Sequence, residues 1–141
     1  MSVNTKPIGV AYEDQNIIGS DYIYSANELG YTTAASGSVT QLTDKTTAVT
    51  LNKSVGTVTM SNASLATVTS VSFTLNNSKI TANDAIILSF VSGAATPGTY
   101  TIWVTALATG SATITLRNIS GGPLAEAVVF NFVIVHGNVN A

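Results

Sequence analysis

With 141 residues, 45% apolar content and no cysteine, the chain can bury the core of one compact domain without disulfides or thiolate metal sites. The formal net charge is −2 and the five basic residues are scattered, so we expect no nucleic acid and no membrane surface as a partner. Only 9% of the residues are charged, against about a quarter in a typical soluble domain, so we expect much of the surface to face other protein.

Residues 1–36 are irregular in pattern and are predicted to form an extended N-terminal arm. They hold four of the seven acidic residues and four of the five tyrosines, but no hydrophobic period of 2 or 3.6 persists. Their aromatic and β-branched content argues against a disordered tail, and tyrosine is a favoured anchor at protein interfaces. A carbohydrate-binding platform is a second use for exposed tyrosines, and the sequence leaves both open. The residues predicted to bind a partner are Tyr12, Ile17, Ile18, Tyr22, Tyr24 and Tyr31.

From residue 37 to residue 141 the hydrophobic pattern has a period of two, which is typical of β-strands. Turn residues separate eight runs of this kind, and residues 108–110 are predicted to form a tight hairpin. The pattern predicts an all-β domain over residues 37–141, a β-sandwich of jelly-roll or immunoglobulin-like type. The predicted strands are 39–43, 48–52, 56–60, 70–76, 85–91, 99–107, 111–117 and 127–135.

The alternation also predicts which side chains form the core. In the last strand the second face is apolar as well, through Val129, Val133 and Val135. A strand with two apolar faces is either central in a sandwich or covered by a neighbouring subunit. The inward positions of the later strands carry large apolar side chains together with one alanine: Val71, Phe73, Leu75, Ile86, Leu88, Phe90, Tyr100, Ile102, Val104, Ala106, Ile114, Leu116, Val128, Phe130, Phe132 and Ile134.

Residues that could catalyse a reaction or bind a metal are scarce. The single histidine, His136, follows the last predicted strand, and no Gly-x-Ser-x-Gly nucleophile motif is present. Asp14, Asp21 and Asp84 are possible oxygen ligands, but their spacing is not that of a calcium-binding loop, and turn or cap roles are favoured. We expect no catalytic residue, no metal and no cofactor, and therefore no enzyme.

Several stretches of the β region resemble a family of small β-domain virion proteins from tailed bacteriophages. The similar segments are 37–53, 56–60, 71–78, 98–104 and 110–132, so the resemblance covers about residues 37–135. The start of the last segment, Gly110-Ser-Ala-Thr-Ile-Thr-Leu, also resembles bacterial Ig-like domains. The phage resemblance implies a structural role on the particle, and it brings no catalytic residue onto this chain.

The low charge, the arm and the resemblance together predict a capsid decoration (cement) protein, which stabilises a phage shell through contacts between subunits. The expected partners are the major capsid protein and further copies of this chain, as a homo-oligomer that we expect to be a trimer. The expected location is the capsid surface of the virion, after assembly in the host cytoplasm. The alternative is a fibre or receptor-binding (adhesion) module at the virion surface, which would bind a cell-surface glycan.

Overall fold

The computed structural model describes residues 28–137, and the structural statements below refer to this part of the chain. The predicted all-β class is confirmed, and every predicted strand overlaps an observed one. A single 3₁₀ turn, Thr33–Ala35, precedes the strands, and the compact unit that holds them begins at Tyr31. The strands are β1 Ser36–Thr40, β2 Val49–Thr50, β3 Val55–Thr59, β4 Ser70–Asn76, β5 Ala85–Ser92, β6 Tyr100–Ala108, β7 Ser111–Asn118 and β8 Val129–Val135.

The eight strands form two four-stranded sheets, which we name after their central strands. The β8 sheet has the order β1-β3-β8-β5, and the β7 sheet has the order β2-β4-β7-β6. The central pairings are antiparallel, whereas the edge strands β1 and β2 run parallel to β3 and β4. Strands β4 to β8 have the neighbour order of strands B to F in an immunoglobulin-type sandwich, with B, E and D in one sheet and C and F in the other.

The core lies between the inner faces of the two sheets. Phe73 of the β7 sheet and Phe130 of the β8 sheet meet there with ring centroids 6.2 Å apart in a tilted arrangement. Removing such side chains from water is the main favourable contribution to folding. The predicted core is confirmed at its centre, where the buried residues are Phe73, Leu75, Tyr100, Ile114, Leu116, Val128, Phe130, Phe132 and Ile134. Buried residues that were not among the predicted core residues also contribute to the core, including Val49, Val58, Met60, Leu65 and Ile80.

The prediction that Ala106 belongs to the core is wrong, because β6 contains a bulge. Val104 and Ala106 are opposite consecutive residues of β7, so Thr105 is an extra residue between them. An extra residue reverses the alternation of the strand beyond it. Ala106 is therefore exposed, and Leu107 packs against the core instead.

The prediction for Phe90 is also wrong, for a different reason. Phe90 is opposite the fully buried Phe130, so it lies on the inner side of the β8 sheet as expected. However, β5 is the edge strand of that sheet, and Phe90 remains 42% exposed. Alternation along a strand indicates the face on which a side chain lies, but an inner face gives full burial only where the opposite sheet covers it.

Glycine is favoured at position 110 by the backbone conformation and at position 56 by the lack of space for a side chain. Gly110 has a φ of +85° in the two-residue turn between β6 and β7, which confirms the predicted hairpin and is a conformation that favours glycine. Gly56 of β3 lies where a Cβ atom would be 2.6 Å from Leu51 Cδ2 and 2.8 Å from Phe132 Cε1. A side chain at position 56 would therefore displace part of the core.

Val68 is the one non-glycine residue with a positive φ, +53°, among residues 28–137. A left-handed backbone costs an L-residue about 1–2 kcal/mol, and a β-branched side chain fits it poorly. Asparagine tolerates this conformation, so we expect Val68→Asn to raise the free energy of unfolding by about 1 kcal/mol. Urea denaturation measures this change. Val91→Asn is the control, because Val91 is similarly exposed and has no positive φ; an equal gain there would contradict the strain explanation.

Candidate interaction surface

Most of the residues that were predicted to bind a partner lie outside the described residues. These residues are Tyr12, Ile17, Ile18, Tyr22 and Tyr24. Tyr31 is the predicted anchor whose environment is described, and it belongs to the compact unit that contains both sheets. The predicted anchors are therefore not brought together into one site by the described part of the chain.

The hydroxyl group of Tyr31 is used within its own domain. It donates a hydrogen bond to the carbonyl oxygen of Ile134 in β8, at 2.5 Å. The amide of Ile134 in turn donates to the carbonyl oxygen of Ser54, one residue before β3 begins, at 2.9 Å. Tyr31 thus adds a donor at the position where the β3–β8 ladder starts. About half of the residue, 48%, remains exposed, so its ring is available for contact even though its hydroxyl is already bonded.

The outer side of the β8 sheet carries a group of adjacent apolar side chains, of which Ala85, Ile87 and Val135 are exposed and Val55 and Val133 are half-buried. Val133 of the central strand is directly opposite Val55 on one side and Ile87 on the other, and Val135 is opposite Ala85. Ile87 is 58% exposed and Val135 is 47% exposed. We call these five residues the apolar face. Contiguous exposed apolar side chains of this kind mark interaction sites more often than isolated ones do.

The sequence analysis found only part of the apolar face. It identified Val133 and Val135 on the second side of the last strand, and the structure shows that this strand is central in its sheet and also exposes that side. It missed Ile87 and Val55, which are joined to them by strand pairing. The adjacent isoleucines Ile86 and Ile87 were the available signal, because two neighbouring strand residues point to opposite faces.

None of the five residues of the apolar face is charged. A hydroxyl and amide row lies next to it, in which the Thr57 hydroxyl donates to the Asn131 side-chain oxygen at 2.7 Å. Ser38 and Ser89 complete that row across the sheet. From Tyr31 to Gly137 the charged residues are Asp44, Lys45, Lys53, Lys79, Asp84, Arg117 and Glu126, and none of them occupies an outer strand position of the β8 sheet. The face is therefore an apolar centre with an uncharged polar border.

The outer side of the β7 sheet has a different character. Thr115 joins a chain of hydroxyl groups, at 2.8 Å from the Ser72 oxygen and 2.9 Å from the Thr105 oxygen. Trp103 is opposite Thr115 and is 37% exposed, and Arg117 also projects on this side. We call Ser72, Trp103, Thr105, Thr115 and Arg117 the hydroxyl face. It offers hydrogen bonds, one aromatic ring and one positive charge.

Asp84 accepts hydrogen bonds within a turn. Its carboxylate accepts hydrogen bonds from the amide of Thr81 at 2.7 Å and from the hydroxyl of Thr81 at 2.8 Å, and it lies 3.0 Å from Nδ1 of His136. This agrees with the turn role favoured for Asp84, whereas Asp14 and Asp21 lie outside the described residues. No group of three or more potential metal ligands occurs within residues 28–137.

Asp84 is expected to make the domain sensitive to acid. Burial alone raises the pKa of this carboxyl, but the hydrogen bonds from Thr81 and the contact with His136 outweigh burial and lower the pKa to about 2 from 3.8. Because the folded pKa lies below the unfolded one, this contribution to stability is complete above pH 3.8 and is lost as the pH falls through about 2.

Urea denaturation above and below this pH window tests that expectation. Asp84→Asn should be less stable than the wild type at neutral pH, and its free energy of unfolding should change less with pH in the acid range. Asp44→Asn is the matched control, because Asp44 also has a lowered pKa, through hydrogen bonds from Thr46, but is half-buried where Asp84 is buried. An unchanged acid response in Asp84→Asn would show that other groups cause it.

A small cavity of about 250 Å³ opens beside the edge strands β5 and β6. Its lining is mostly apolar and includes Phe90, Val91, Pro97 and Tyr100. Burial, together with the Glu126 carboxylate, raises the pKa of the Tyr100 phenol. Pockets that bind drug-sized ligands are usually about 300–1,000 Å³ with several converging polar groups. This cavity is smaller, and its lining residues contain no nucleophile paired with a base.

Comparison with known proteins adds no relative. No family model, no curated protein and no solved structure matches this chain. Within residues 28–137 no helix has the length and apolar character needed to cross a membrane. Of the surfaces that the described part of the chain presents, the apolar face is the most distinctive.

Proposed function

We propose that this chain is a structural protein of a phage virion, a capsid decoration protein that stabilises the shell by binding between its subunits. Its partners are the major capsid protein and further copies of this chain in a homotrimer, and its location is the capsid surface after assembly in the host cytoplasm. It acts by binding, without catalysis and without a cofactor.

The apolar face is the observation that carries this proposal. The outer side of the β8 sheet exposes Ile87 and Val135, and none of the strand residues on this side is charged. Uncharged faces of this kind are stabilised by contact with protein, because apolar area is removed from water without burying an unpaired charge. In a symmetric shell each contact is repeated, so modest affinities add up to a large effect.

The N-terminal arm supplies the second set of contacts in this proposal. Its tyrosines and isoleucines suit anchoring on a neighbouring protein surface, since aromatic residues dominate the centres of interfaces. Tyr31 belongs to the compact unit and is tied to β8 through its hydroxyl group. The anchors that bind the shell are then Tyr12, Ile17, Ile18, Tyr22 and Tyr24.

Co-sedimentation with purified capsids that lack their decoration protein tests the proposal. We expect the full chain to pellet with the shells in a saturable manner. A variant that begins at Tyr31, where the compact unit starts, should keep its β circular dichroism signal but lose most of this binding. Absence of binding by the full chain would overturn the proposal, and undiminished binding of the shortened chain would remove the arm from it.

The hydroxyl face supports one alternative, a fibre or adhesion module that binds a cell-surface glycan. An exposed aromatic ring flanked by hydroxyl groups can stack on a sugar while its neighbours donate and accept hydrogen bonds. Trp103 is the single tryptophan of the chain, so its fluorescence reports directly on this face. Binding on a glycan array would favour the alternative if the bound glycan also quenches this fluorescence and if Trp103→Ala abolishes the binding. No glycan binding is expected of a decoration protein.

A further inference from the structure

We infer that the apolar face is the surface through which copies of this chain contact one another around a symmetry axis. The inference deepens the proposed function, and it rests on the part of that proposal that makes the protein a homo-oligomer. In this contact between copies, Val133 lies at the centre, Val55 and Ile87 lie on either side of it, and Val135 and Ala85 lie at one end.

The distribution of charge is the first argument. At a symmetry axis identical side chains approach one another, so any charge near the axis meets its own copies. Like charges brought together cost several kcal/mol. The apolar face carries no charged residue, whereas the hydroxyl face carries Arg117. Of the two outer sheet faces, only the apolar face can lie against copies of itself without this repulsion.

The shape and chemistry of the face are the second argument. Its members are short β-branched or small side chains on adjacent strands, which make an even surface that a second sheet can cover at the usual spacing of about 10 Å. The neighbouring row of Thr57, Asn131, Ser38 and Ser89 provides an uncharged polar border. An apolar centre within a polar rim is the usual anatomy of a protein–protein interface.

Other occupants fit this face less well. A membrane-binding surface places lysine and arginine beside its apolar residues, to contact anionic lipid, and no basic residue lies on this face. A partner with a charged contact region would bury its charges against a surface that offers no opposite charge. A further copy of this chain contributes an equally uncharged face, so it satisfies both conditions.

The test compares the mass of the full chain with that of charge variants in solution. Sedimentation equilibrium of the wild type is expected to show a multiple of the 14.5 kDa chain mass. Ile87→Lys should weaken self-association about a hundredfold or more, because it places identical charges at the contact. Ile87 is 58% exposed, so the substitution should not disturb folding, which circular dichroism checks. Val135→Lys provides a second variant at a position that is 47% exposed.

Ala106→Lys is the matched control, since it adds the same charge to an exposed position on the outer side of the β7 sheet. It should keep the wild-type mass. The inference would be overturned if the wild type were monomeric, or if Ile87→Lys had the same mass in solution as Ala106→Lys. A monomer that still binds capsids would overturn this inference and the homotrimer but not the decoration role, whereas an oligomer sensitive to Ile87→Lys that binds no capsid would overturn the decoration role but not this inference.

Discussion

Replacing Lys45 by methionine is expected to lower the free energy of unfolding by roughly 2–4 kcal/mol, because two carbonyl groups lose their donor. Lys45 is only 3% exposed. Its ammonium group donates to the carbonyl oxygen of Glu126 at 2.7 Å and also to that of Ser61. These bonds hold the segment after β1 against two other segments of the chain. Methionine keeps most of the side-chain volume, so the change isolates the hydrogen bonds from the packing.

Lys53→Met is the matched control for this experiment. Lys53 also donates to a backbone carbonyl, that of Ala34 at 2.7 Å, but this bond is exposed to solvent, where water replaces the lost donor. We expect it to cost less than about 1 kcal/mol. Equal stability of Lys45→Met and the wild type would show that the cost of burying the ammonium group offsets both hydrogen bonds.

The pH dependence of the wild type provides an independent check on Lys45. Burial lowers the pKa of this ammonium group, and the Glu126 carboxylate raises it by a smaller amount. The folded state therefore binds this proton less tightly than the unfolded state, so the contribution of Lys45 to stability rises with pH as the pH approaches 10.5. The Lys45→Met variant should lack this rise in the alkaline range.

Asn118→Ala is expected to lower the free energy of unfolding by about 2–4 kcal/mol. Asn118 is fully buried at the end of β7. Its amide nitrogen lies 3.1 Å from the carbonyl oxygen of Leu65, 3.2 Å from that of Ala66 and 2.8 Å from that of Gly122. Two amide hydrogens thus serve three carbonyl groups, so at least one hydrogen is shared. The variant leaves all three carbonyls without this donor.

Asn76→Ala is the control for Asn118, because Asn76 ends β4 at an exposed position. It should change the stability by less than about 0.5 kcal/mol. Denaturation in guanidinium, followed by the fluorescence of the single tryptophan, measures both variants. If Asn118→Ala unfolds at the same denaturant concentration as Asn76→Ala, the loops around Leu65 and Gly122 do not depend on this amide.

The strands were the most predictable part of the fold. A period of two with β-branched residues is a local property, so the pattern located eight strands before any pairing was known. The hairpin at residue 110 was equally local, because its glycine adopts a backbone that other residues avoid. The inward positions of β4 and β8 followed from the same alternation, as the full burial of Leu75 and Phe132 shows.

Pairing between distant strands was not predictable from the pattern. The bulge at Thr105 exists only relative to β7, and the parallel pairing of β1 with β3 depends on where the chain returns after β2. The polar core residues were missed for a related reason. Lys45 and Asn118 are hydrophilic by type, and only the carbonyl groups that surround them in the fold make their burial favourable.

By itself the sequence determined that this protein is all-β and poor in charge, because strand period, turn residues and charge content are properties of the chain. It also separated the core side of β8 from the second apolar side, but only the tertiary structure decided that this second side lies on the outside of its sheet. Phe130, Phe132 and Ile134 face the β7 sheet and are fully buried, whereas Val133 and Val135 face outward beside Ile87. Alternation divides a strand into two faces, but the position of the second sheet determines which of them is left to bind a partner.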